Sequence, residues 1–202
     1  MFSTQLKSET QNTPVVRLIM EWLSDQLTTD GFMWLSRKIM RLKIDPTDRQ
    51  FYMVFNVLPK RIGTHKLRLD ENELDKAEQC RENWKPLDWQ VDHAARVAVI
   101  LSIADIFPDF AASMEKIMSK ARTEEVIAIY HGLPLYHDPK LYLPFAINGI
   151  DDEDTAVFSA LAKHNAYPVE HFDDENWKKL VSRARQLNIP KENIIGLEQR
   201  DS

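Results

Sequence analysis

Cysteine is nearly absent from this chain: Cys80 stands alone among 202 residues. A single thiol excludes an intrachain disulfide and a cysteine-based zinc site, and it points to a reducing compartment such as the cytoplasm. Glycine is scarce too, at five residues, which leaves little material for hairpin turns or a glycine-rich phosphate loop. The longest apolar stretch, Val97 to Phe107, is broken by Asp105 and is too short to span a bilayer. Met1 to Thr13 has no apolar core segment, so no signal peptide is expected. The nucleophile elbow G-x-S-x-G and the zinc motif H-E-x-x-H are also missing. A soluble protein without membrane insertion is expected, with no catalytic residues assigned, no cofactor and no metal.

What is present is ordinary globular material. The 44% hydrophobic and 28% charged content matches typical folded domains. A chain of this size removes roughly 70% of its unfolded surface from water on folding, enough for a core without covalent staples. No linker or low-complexity segment interrupts it, so one domain over residues 1–202 is expected. The net charge of −5 hides an asymmetry: residues 1–70 carry 11 Lys/Arg against 7 Asp/Glu, and residues 71–202 carry 15 against 24. The basic excess lies between Arg37 and Arg68, where only Asp45 and Asp48 oppose nine basic residues. This reads as a solvated surface or as a face for an anionic ligand. Nucleic acid is not expected, because the whole chain is acidic and no binding motif accompanies the patch.

Nearly every segment reads as helix. Thr13–Pro14 and Asp45–Pro46 have the form of helix starts, and Asp70 with Glu73 forms a capping-box pattern. Pro59 to Leu69, with Gly63, reads as an irregular loop. The region after Pro86 opens the most apolar helix, through Val91, Ala94, Ala95, Ala98 and Val99, expected to close at Pro108. Further helices are expected near 109–120, 123–131, 139–148, 152–164 and 174–188. No segment sustains period-two alternation. The expected fold is all-α, with about ten helices packed as antiparallel pairs, in a bundle or a short α-solenoid of HEAT/armadillo kind.

The richest connector runs from His164 to Trp177. Tyr167 precedes Pro168, which biases it away from the α region, and Asp173 offers a cap for a helix carrying Trp177, Leu180, Val181, Ala184 and Leu187. Asp92 and Arg96 lie at i and i+4 on the most apolar helix and form either a satisfied buried pair or an anion-binding pair. Trp84 and Trp89 read as packing anchors. The histidine pairs His131/His137 and His164/His171 lack helical metal spacing, so solvent-exposed or hydrogen-bonding roles are expected. The acid runs at Asp151–Asp154 and Asp173–Glu175 fall at helix starts, where they complement the macrodipole.

Four stretches together resemble the EboA family. They are Leu58-Pro59-Lys60-Arg61-Ile62-Gly63; Trp84-Lys-Pro-Leu-Asp-Trp89-Gln-Val-Asp92-His-Ala-Ala-Arg96; Glu124-Glu125 with Tyr130-His-Gly132-Leu133-Pro134-Leu135; and Val157-Phe158, Asn165-Ala-Tyr167-Pro168, Trp177 and Gly196-Leu197-Glu198-Gln199-Arg200. The likeness spans about Phe55 to Arg200, with His93, His131 and Ala166 departing from the family's usual Gln, Arg and Pro. The resemblance implies a part in trafficking a secondary metabolite or its precursor, alongside other products of the same gene cluster, and supplies no catalytic residues. A helical binding or adaptor protein is the expectation, with Arg61, Asp92, Arg96, Tyr130, Asn165 and Tyr167 converging on a small-molecule metabolite. The alternative is a small enzyme of the same pathway acting on an anionic or aromatic intermediate.

Overall fold

The computed structural model describes residues 2–200, with side chains described from Pro14 onward. The chain is all-α. Helices α1 (Phe2–Gln26), α2 (Thr29–Ile44), α3 (Asp48–Ile62) and α4 (Glu71–Cys80) precede α5 (Val91–Ile103). Then come α6 (Phe110–Met118), α7 (Thr123–Gly132), α8 (Pro139–Ile150) and α9 (Thr155–Ala162). A short α10 (Tyr167–His171), α11 (Asp174–Gln186) and a terminal turn α12 (Leu197–Arg200) complete the order. Short acidic or hydroxyl side chains set most of the starts. Thr28, Thr47, Asp70, Asp109, Asp154 and Asp173 each accept a backbone N–H of the first turn, worth about 1 kcal/mol apiece.

Helix α5 is the axis of the bundle. Every residue but Ser102 is buried, and it packs against α1, α2, α3 and α7. A helix apolar on all sides can exist only when it is enclosed, and Ala94, Ala95 and Ala98 let neighbouring backbones come close. Beyond α7 the packing passes outward to α9, then α8, then α11. Each fully buried Val, Ile or Leu of α5 contributes roughly 1.5–3 kcal/mol. One continuous apolar cluster runs from Val15 to Leu197.

The structure departs from the sequence reading at several boundaries. Thr13 and Pro14 both lie inside α1 and not at its first turn, so neither opens a helix there. Pro59 does not open a loop: α3 continues through it to Ile62. Its ring fits helical φ, and it gives up only one backbone bond near the end of the helix. Gly63, at φ +87°, then stops the helix. The following segment is pinned to the entry of α5 by an isolated antiparallel bridge, Lys66 to Gln90. Leu67 N–H donates to Trp89 O at 2.9 Å and Val91 N–H to His65 O at 3.0 Å. Helix α5 ends at Ile103, ahead of Pro108.

The His164–Trp177 connector holds the extra helix α10. Pro168 sits in its first turn, where no donor is needed, so Tyr167 enters the helix despite preceding a proline. His164, at φ +54°, makes the reversal after α9. Cap Asp173 and the buried series Trp177, Leu180, Val181 and Ala184 are as expected, while Leu187 reaches the surface.

Gly149 tests how tightly α7 and α8 are packed. A Cβ there would lie 2.6 Å from the Tyr130 ring, and that ring is held by its hydroxyl donating to Phe145 O at 2.7 Å. Helix propensity alone favours Gly149→Ala by about 1 kcal/mol; overpacking opposes it by about 1–3 kcal/mol. Urea denaturation of Gly149→Ala is expected to show a net loss of stability, and a gain would mean that α8 is free to shift.

Candidate functional site

The most unusual chemistry lies around the N-terminal half of α5. Asp92 and Arg96 are each 1% exposed, and Arg96 Nη1 donates to Asp92 Oδ2. The Gln90 amide, oriented so that its nitrogen faces acceptors, donates to Asp92 Oδ1 at 3.3 Å and to Thr64 O at 2.9 Å. The Arg96 guanidinium lies 5.3 Å from the centre of the Phe55 ring, and its Nε has no acceptor. The pair is therefore anchored on the carboxylate side and underused on the guanidinium side.

On the α7-facing side, His93 Nδ1 accepts from Gln90 N–H at 3.4 Å, which leaves Nε2–H to face Glu124 Oε2 at 3.4 Å. His93 also meets His131 edge-on, ring centres 5.2 Å apart, and His131 stacks on Trp89 within 8° of parallel. The row continues through Trp84 to Trp22 at 6.0 and 5.3 Å. Four side-chain nitrogens here are buried without a partner: Trp22 Nε1, Trp84 Nε1, Arg96 Nε and His131 Nδ1. Burial holds both histidines below their ordinary pKa; for His93 the Asp92 carboxylate partly opposes it, and for His131 the neighbouring His93 adds to it.

Tyr130, Asn165 and Tyr167 form a second group between α7, α8 and the α9–α10 connector. Asn165 Nδ2 donates to Tyr130 O at 2.8 Å and Ala160 O at 3.0 Å, and its Oδ1 accepts Tyr167 N–H at 3.0 Å. The Tyr167 hydroxyl donates to Pro139 O. Burial raises both phenol pKa values. Arg61 stands apart, exposed on the last turn of α3 with its guanidinium 5.9 Å from the Trp34 ring centre. The six residues thus occupy three places: an ion pair, a backbone-bonded trio and a surface cation.

Other conspicuous groups act as braces. Arg200 donates to Val169 O and Phe172 O, pairs with Asp174 at 3.0 Å, and lies 5.3 Å from the Trp177 ring centre. Gly196, at φ +80°, leaves room for Val169. Arg81 reaches Glu170 at 2.5 Å. His164 faces Asp88 at 3.9 Å and His171 faces Glu170 at 3.7 Å, so the connector's histidines go to separate carboxylates. Among the described residues no three His, Cys, Asp or Glu side chains gather as a metal-holding group.

Sequence reading missed the buried His93–His131 contact and the buried Glu125, whose carboxylate takes the Arg122 backbone N–H at 3.0 Å and its guanidinium at 2.7 Å. The correction concerns His131 most, since it was expected at the surface or in ordinary hydrogen bonding. A signal existed: His93 lies inside the apolar helix α5, and His131 follows the apolar run Val126–Ile129 by two residues.

An all-helical bundle with a charged and aromatic centre on its axis is the class these features define. The chain matches the sequence model of the family described as metabolite traffic protein EboA over residues 15–202. It belongs to that family, and the match begins well before Phe55, where the likeness in the sequence first becomes visible. No curated protein and no solved structure shows a significant match to it.

Two outcomes follow from the buried charges. Removing one partner strands the other, so Asp92→Ala is expected to cost about 3–5 kcal/mol in urea denaturation, whereas Asp92→Leu with Arg96→Met costs much less. The pKa values of His93, His131, His164 and His171 are all lowered, in each case chiefly by burial. Below the ordinary value of 6.5 the unfolded chain binds protons that the folded chain refuses, so stability is complete above that pH and falls as pH drops. Denaturation midpoints between pH 7.5 and 5 check this, with His131→Gln expected to flatten the slope by about one proton.

Proposed function

We propose that this protein is a binding or adaptor protein that holds a small, oxygen-bearing aromatic metabolite or its precursor during its transfer, together with other products of its gene cluster. Membership of a metabolite-traffic family supports the general role. The observation that carries the specific reading is the set of partnerless buried nitrogens along the row Trp22, Trp84, Trp89, His131 and His93, with Arg96 beside it. Buried donors without acceptors are rare and costly in native proteins. A planar ligand with carbonyl or carboxylate oxygens supplies what they lack, and ring faces supply stacking.

In this reading Arg96 receives the ligand's acceptor and Asp92 holds the guanidinium in place. Tyr130, Asn165 and Tyr167 keep α7, α8 and the connector in register around it. Arg61 meets an anionic ligand or partner at the surface. Entry requires displacement of the segment 81–90, which lacks regular structure over most of its length and carries Trp84 and Trp89.

An enzyme is the second reading, and the observation on its side is His93. It is a buried imidazole whose pKa is lowered chiefly by burial, with Nε2 facing the Glu124 carboxylate, the kind of pairing that orients an acid–base histidine. Incubating the purified protein with pathway extract and recording native mass spectra separates the readings. A bound small molecule, with tryptophan emission quenched and the effect lost when Asp92→Leu and Arg96→Met are combined, is the expected result. Turnover of an extract component that stops in His93→Gln would favour the enzyme, and a stoichiometric protein partner without a small molecule would favour a scaffold.

A further inference from the structure

Helix α2 has two apolar faces. Leu35, Ile39 and Leu42 point into the core. On the opposite side Met33, Arg37, Met40 and Ile44 follow at steps of four, three and four residues, which is one helical face. Ile44 is 79% exposed, Met40 57% and Met33 47%, and Met53 of α3 is 47% exposed. Basic side chains border this stripe: Arg37 and Arg41 along one side, Lys43 along the other. Asp30 is the single acid in α2 against four basic residues.

The cations here are not neutralised by acids, although Arg37 Nε donates to Met33 O and Lys38 lies over the Trp34 ring. Among the described residues, Arg37, Lys38, Arg41, Lys43 and Arg49 have no carboxylate partner. Two of the three nearby acids are engaged elsewhere: Asp48 pairs with Lys116 at 2.7 Å and accepts Ser113, and Asp45 accepts Gln50 at 3.2 Å. Lys38, Arg41 and Arg49 also line a cleft of about 320 Å³ between α2 and α3, with Thr47 and Gln50. Its size and charge suit a phosphodiester.

We propose that the outer face of α2, with this cleft, docks the protein on an anionic phospholipid surface. Charge chooses the partner, and area chooses among anionic partners. The four exposed apolar side chains offer on the order of 400 Å², about half of the roughly 800 Å² per partner that a stable protein interface or dimer buries. A lipid surface has no such requirement. Met33, Met40 and Ile44 enter the headgroup boundary while Arg and Lys stems extend to the phosphates. The rest of the molecule orients the contact, because residues 71–202 hold 24 acids against 15 bases and are repelled by the same surface. No span is involved: among the described residues no helix is long and apolar enough to cross a membrane.

Each Lys or Arg near an anionic leaflet strengthens partitioning roughly fivefold. Co-sedimentation of the full chain with vesicles of phosphatidylcholine and phosphatidylglycerol, mixed two to one, tests the proposal. The protein is expected in the pellet with these vesicles, in the supernatant with phosphatidylcholine alone, and released by high salt. Ile44→Asp and the double change Arg41→Glu with Lys43→Glu each lower partitioning at least tenfold. Because these side chains are exposed, melting temperatures stay unchanged, and Leu187→Asp serves as a neutral surface control. Equal binding to both vesicle types, no binding to either, or undiminished binding of Ile44→Asp overturns the proposal. So does a dimer seen by light scattering that Ile44→Asp dissolves, which would make the face a contact between copies.

Discussion

Everything near the centre of this protein is arranged around an ion pair on a helix that has no solvated side. Taking Asp92 and Arg96 out of water costs several kcal/mol per charge, so the neighbours must return hydrogen bonds and polarisable surface. Gln90 gives an amide, Phe55 gives a ring face, and the Lys66–Gln90 bridge holds the entry of α5 where these contacts can form. A pair of apolar residues would stabilise the same spot at least as well. What the charges add is a specific contact from α5 to α3: the guanidinium lies over the Phe55 ring, with its Nε left without an acceptor.

The C-terminal half solves a different problem with the same kind of chemistry. Helices α9 and α10 are short, and besides the core residues Val157, Phe158 and Leu161 side chains there bond directly to backbone carbonyls. Asn165, Tyr130 and Tyr167 do this inside, while Arg183 and Arg200 do it near the surface, each with its guanidinium over an aromatic ring. Residues that carry the family likeness in this half are therefore mostly fasteners. Function is better sought where polar groups are left without partners: the aromatic row beside α5, and the basic, apolar outer face of α2.

Much of the fold was legible along the chain. Asp70, Asp109, Asp154 and Asp173 mark their helices because capping is decided within four residues, and α5 announces its burial because apolar residues fall on every side of it. Pro59 and Tyr167-Pro168 misled for a physical reason. Proline does not by itself end a helix: Pro168 sits in a first turn where no donor is needed, and α3 carries Pro59 in its last turn at the loss of one backbone bond. The candidate site was half legible: Asp92 and Arg96 were recognisable as a buried pair from i, i+4 spacing, but Arg61 was grouped with residues that the structure leaves elsewhere.

By itself the sequence determined the helical class, most of the helix starts, the central helix and the family, since these rest on local propensity, periodicity and ordered motifs. Only the tertiary structure decided which polar residues meet. His131 stacks on Trp89, 42 positions away, and Asn165 reaches a carbonyl 35 positions back, through packing between helices that are not neighbours in the chain. Spacing along one helix encodes a shared face, but nothing local encodes which other helix will cover it.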